Sequence, residues 1–168
     1  MGTEAMSGDE ARALASELAA LSLEDAAPEE LVLFPEVAEE YFRDPDGVLH
    51  AQGRDEAVGF GLDVAMLTPY ALAVVVPVIK FLASVVEETA KEEVRTSLSE
   101  RIRKLFRRDA GEKQVDEAEA TAPPAFALSQ DQARKVRQTA FDQARGLGVD
   151  DARAGLLADS LVGRLVVG

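Results

Sequence analysis

The stretch "DVAMLTPYALAVVVPVIKFLASVVEE", residues 63–88, decides the fold. From Val64 to Ile79 it carries no charge; then comes Lys80, then six apolar or small residues before Glu87. Thr68 followed by Pro69 is a helix start, a hydroxyl cap ahead of a proline whose missing N–H costs nothing in the first turn. From Pro69 the pattern predicts a helix to about Arg108, roughly forty residues or about 60 Å at 1.5 Å per residue. Pro77 removes one hydrogen bond and predicts a kink near Ala73. Past Glu87 the character changes: Val94, Leu98, Ile102 and Leu105 form a narrow stripe among charges, and Glu87–Lys91 is a favourable i, i+4 pair.

Two environments suit such a helix. A membrane span needs about twenty mainly apolar residues, which residues 64–86 supply with one charge. A central Lys costs about 2.5–3.5 kcal/mol, and the twelve large apolar residues of the segment together return about 4 to 7 kcal/mol. Insertion is marginally favourable on that sum, and Lys80 lies near enough to the end to snorkel. Leu72, Val75, Ile79, Lys80 and Leu82 are then the membrane-contact candidates. The other environment is protein: a central helix buried all round by segments 9–22, 28–43, 130–145 and 151–166, whose apolar faces otherwise lack a partner. A third arrangement joins them, in which amphipathic neighbours mask the apolar helix until it meets a membrane.

Charge is unevenly placed. Of the net −13, residues 1–63 hold sixteen acids against three bases, which is −13, and residues 64–168 hold fifteen of each. The simplest account is a solvated, solubilising surface. The sharper one has the acidic front facing "RIRKLFRR", in which Arg101, Arg103, Lys104, Arg107 and Arg108 are positive. These five are the candidates for binding an anionic lipid surface, and they would set the C-terminus on the cytoplasmic side of a membrane.

Outward from the centre, residues 8–22 place Leu14, Leu18 and Leu21 on one helical face, with Asp9 as candidate cap. Residues 28–43 read as a second helix, interrupted before Pro35, and "DPDG" at 44–47 as a turn. In residues 47–66 large and small apolar residues alternate. That pattern fits either a close-packed helix, the preferred reading, or a short β-hairpin. Residues 109–125 read as a linker. In residues 126–168, Ser129 with Gln132 forms a capping box, and Ala133, Val136, Ala140, Ala144 and Leu147 line one face. Gly146 and Gly148 stop that helix, and Asp150 caps another with Leu157, Leu161 and Leu165 inward. The expected fold is all-α: an acidic helical region (1–63), a long kinked helix (64–108), a linker and a C-terminal helical hairpin.

Chemistry is sparse. His50 is the only His and there is no Cys, so a Cys nucleophile, a cluster of imidazole metal ligands and disulfides are excluded. "GFG" at 59–61 lacks a phosphate-loop frame, the N-terminal acids lack calcium-loop spacing, and no nucleophile has a base beside it. The start has neither a basic segment nor an apolar core of a signal peptide, and Met6 breaks the myristoylation pattern. "QARGLGVDDARAGLL" resembles the DNA-reading helix-turn-helix at Ala144, Leu147, Gly148, Val149 and Leu157. Gln143 departs from that pattern, and Asp150 and Asp151 would meet phosphates with the wrong sign. The sequence therefore predicts a non-enzymatic, cofactor-free helical protein without a nucleic-acid partner. Its expected role is membrane association at the inner face of a membrane from the cytoplasm; the alternative is a soluble protein–protein interaction module with the apolar helix as core. Self-association into an oligomer fits either role.

Overall fold

A computed structural model of the chain describes residues 6–55, 66–89, 97–106 and 127–167. Among these residues the regular elements are seven α-helices and one 3-10 turn, with two isolated β-bridges. The helices are α1 (Gly8–Ala26), α2 (Phe34–Arg43), α3 (Pro45–Asp55), α4 (Thr68–Thr89), α5 (Leu98–Lys104), α6 (Gln130–Gly146) and α7 (Asp151–Gly163); the 3-10 turn, Pro28–Val32, precedes α2. The all-α class and the central apolar helix follow the sequence expectation. The helical reading of 47–66 holds over Gly47–Asp55, while residues 56–65 lie outside the described residues.

Helix α4 is the hub, packed by α1, α2, α3, α5 and α6. Leu72, Val74, Val75, Val78, Leu82 and Val86 are fully buried, and each such side chain contributes about 1.5–3 kcal/mol relative to exposure. What α4 shows to solvent is narrow. Ahead of its exposed last residues Glu88 and Thr89, the exposed positions are Val76, Lys80, Ser84 and Glu87, spaced i, i+4, i+8 and i+11, so they fall along one line of the helix. The single charge inside the apolar run sits on that line.

The start of α4 is capped from elsewhere in the chain. Leu67 supplies the first helical carbonyl, accepting from Ala71 N–H at 2.8 Å. The carboxylate of Glu30, itself buried, accepts from Leu67 N–H at 2.8 Å through Oε1, and from Thr68 N–H (2.8 Å) and Thr68 Oγ1 (2.7 Å) through Oε2. Thr68 is thus inside the helix with its hydroxyl donating, and the cap expected of it is provided by Glu30. A negative group at this end also meets the positive pole of the helix.

Three further local readings are corrected. The cap of α1 is Ser7, not Asp9: Ser7 Oγ accepts from Glu10 N–H and Glu10 returns a bond to Ser7 N–H, a full capping box. "DPDG" opens α3 rather than forming a free turn. Asp44 Oδ1 accepts from Gly47 N–H, and a Cβ at Gly47 would collide with the same carboxylate. The single helix predicted over 69–108 is two helices, because Ser97 is extended (φ −61°, ψ 154°) and caps α5 through Glu100 N–H. A hydroxyl that reaches its own backbone competes with helix continuation. Val94 and Lys91 lie outside the described residues.

The C-terminal hairpin forms as its caps dictate. Ser129 and Gln132 make the capping box, and Ala133, Val136, Ala140 and Ala144 are buried. At the far end Gly148 N–H bonds Arg145 O and Val149 N–H bonds Ala144 O. This double closure needs a left-handed residue, and Gly148 has φ 93°. Asp150 then caps α7.

Beyond α7 the chain end is gripped from two sides. Val166 N–H donates to Leu105 O at 2.7 Å, and Leu128 N–H donates to Val166 O at 2.9 Å. Arg164 adds ion pairs to Glu24 (3.0 Å) and Asp25 (2.9 Å) on α1. Its guanidinium is pushed above its ordinary pKa, first by the hydrogen bond to Asp25.

Candidate functional site

The membrane-contact candidates divide by face. Leu72, Val75 and Leu82 are fully buried and Ile79 nearly so, whereas Lys80 is exposed. The four apolar candidates touch other helices of this chain, so in this fold they are core. Phe81, beside them and half-buried, lies under the ammonium of Lys135 on α6, 5.8 Å from its ring centroid.

The basic run is also partly committed. Arg101 Nη2 donates to Val86 O at 2.9 Å, satisfying one of the carbonyls that the last turn of α4 leaves open. Arg103 Nε bonds Glu17 of α1. This contact realises, in one pair, the sharper account of the charge asymmetry. Lys104 is exposed; Arg107 and Arg108 lie outside the described residues, as does the whole predicted linker, 109–125.

Between α1 and α5 runs a cleft of about 270 Å³ lined by Glu17, Leu18, Ala20, Leu21, Glu24, Arg103 and Phe106. It shares Glu17, Arg103 and Phe106 with a wider, shallower depression of about 750 Å³ that adds Glu100 and Lys104. Leu18 and Phe106 are buried beneath it, and the Glu17–Arg103 pair crosses it. The chemistry on offer is apolar contact and ion pairing. Among the described residues no group of three or more His, Asp or Glu is placed to hold a metal. His50 is exposed on α3, its Nδ1 2.6 Å from Asp46 O.

Sequence reasoning missed the turn between the 3-10 segment and α2. Val32 is 83% exposed and Leu33 48%, the two most exposed large apolar side chains described. Glu29, Pro35 and Glu36 beside them are exposed as well. The signal was present in "PEELVLFPEV": apolar residues run on continuously with no period, so some of them had to face outward.

In the helical hairpin, Asp151, Ala152, Leu156 and Asp159 are exposed along α7. Arg145 is drawn to Asp151 (2.6 Å) and Arg137 to Asp159 (2.6 Å). The surface that a helix-turn-helix would present to DNA is acidic here, and the nearest bases are paired with it.

No protein-family model, curated protein or solved structure matches this chain.

Proposed function

We propose that the chain is a non-enzymatic helical-bundle interaction module whose apolar helix is its core and whose outer surface engages a protein partner. One observation carries the reading: the polar residues inside the apolar run of α4, Lys80 and Ser84, fall in register with Glu87 on one solvent line. A helix selected only to sit in lipid has no reason for that alignment, whereas the core helix of a bundle requires it. The sparse chemistry of the sequence, with one His and no Cys, supports the non-enzymatic part.

Flotation with anionic vesicles at low salt, alongside sedimentation of the same sample, tests the reading. The protein is expected to stay at the bottom of the gradient and to sediment as one discrete species. Full-length protein rising with the vesicles would overturn it in favour of membrane association, a second reading that the 22-residue length and apolar composition of α4 support. That second reading requires α4 to leave the bundle, because Leu72, Val75, Ile79 and Leu82 are covered by protein.

A further inference from the structure

Resting on the interaction-module reading, the geometry points to Val32 and Leu33 as a preformed docking knob for a partner protein that presents an apolar helix face flanked by Lys and Arg.

The first ground is exposure where it is costly. Single exposed apolar residues need no explanation, but Val32 and Leu33 are adjacent in sequence and both turned outward, whereas no two of Val76, Leu156 and Val167, the other exposed large apolar residues described, are sequence neighbours. Val32 is 83% and Leu33 48% exposed, and their neighbours Leu31 and Phe34 are half-buried against the core. Rotating the segment to cover Val32 would expose Leu31.

The second ground is rigidity. Pro28 and Pro35 flank the segment. Leu33 N–H bonds Glu30 O and Val37 N–H bonds Leu33 O. Most of all, Glu30, two residues before Val32, is bound to Leu67 and Thr68 by three hydrogen bonds. The turn is therefore anchored through its backbone and one buried side chain while its apolar tip projects into water. A contact group fixed before binding loses little conformational entropy on binding, which is the condition for an energetic anchor.

The third ground is charge, and it selects the partner. Between Arg12 and Arg43 the sequence contains no Lys or Arg. Glu29 and Glu36 flank the knob, and Glu40 follows on α2, all exposed. A basic flank meets complementary potential here, and an acidic one is repelled. The same acids oppose an anionic lipid surface.

An NMR titration of the full-length, ¹⁵N-labelled chain tests this, with an amphipathic helical peptide of Leu and Lys residues as probe. Amide shifts should concentrate at residues 28–40 and weaken with salt. Replacing Val32→Ser with Leu33→Ser should lower affinity at least about tenfold, and Glu29→Gln with Glu36→Gln should lower it severalfold and flatten its salt dependence. Unchanged thermal melts of both exposed-site variants show that folding is intact. Absent binding, shifts centred elsewhere, or an apolar double variant that binds like wild type each overturn the knob. The flotation result stands apart from all three, so the interaction-module reading falls or survives separately. Self-association of the protein without peptide, abolished by Val32→Ser with Leu33→Ser, would replace the partner with a second copy of the chain.

Discussion

The carboxylate of Glu30 binds both the amide and the hydroxyl of Thr68, 38 positions further along the chain. Together with the bond to Leu67 N–H, this places a buried carboxylate at the N-terminus of the most apolar helix among the described residues. Removing it as Glu30→Ala leaves two amides and a hydroxyl without their partner, at a cost of about 1–3 kcal/mol for each group that water cannot reach. A total loss of about 3 kcal/mol is expected in urea unfolding, with Glu30→Gln retaining part of the stability. Wild-type stability in the Ala variant would show that the contact is dispensable.

The face of α4 can be read out by substitution. Leu82→Ala, at a fully buried site, is expected to cost about 2–5 kcal/mol. Val76→Ala, at a 38% exposed site, should stay within about 0.5 kcal/mol of wild type. Equal effects of the two changes would contradict the orientation of the helix.

Asp150 gives α7 a pH-dependent cap. Its carboxyl lies below the ordinary value of 3.8, chiefly because Arg153 N–H donates to it, with the Arg153 guanidinium adding to the effect. A depressed folded pKa means stability present above the unfolded value and lost as pH falls through the folded one. Asn caps helices without titrating, so Asp150→Asn is expected to match wild type more closely, or surpass it, as unfolding is measured at progressively lower pH below 3.8. A wild-type-minus-variant difference that is flat with pH would refute the assignment.

At the alkaline end Tyr41 acts in the opposite sense. Burial, and after it the negative charge of Asp46, raises its phenol above the ordinary 10.0. The unfolded chain therefore loses this proton first; the stability is full below pH 10.0 and declines as pH rises toward the folded value. Unfolding curves of Tyr41→Phe should lack that component of the alkaline decline, after allowance for the variant's stability at neutral pH.

Local signals in the sequence were legible where one residue and its near neighbours carry the structure. Ser129 with Gln132, Asp150 and the Ala133–Val136–Ala140–Ala144 face required only helical geometry, and the hairpin formed accordingly. Asp9 was singled out as the cap of α1, but it is Ser7, two positions earlier, that places Glu at the third helical position and so completes the capping box. Glu30 was illegible because its partners meet it only in the folded chain; from sequence it is one of several acids. The break at Ser97 was hidden because the charged, helix-compatible residues around it favour continuation, and only the cap geometry shows a new start. Of the candidate site, Leu72, Val75, Ile79 and Leu82, singled out as membrane-contact candidates, are packed inside this fold; hydropathy ranks lipid and protein interior alike. The spacing of Lys80, Ser84 and Glu87 along one line of the helix is itself legible in the sequence.

Leu105 and Leu128 are separated by 22 intervening residues in sequence, yet both are hydrogen-bonded to the one residue Val166. The two flanks of the excursion between them are held together through Val166. Closure entropy grows only logarithmically with length, about 0.6 kcal/mol for each doubling, so the cost of joining Leu105 to Leu128 depends little on how many residues separate them. Val166 therefore sets the gap that any such connection has to span, whatever its length.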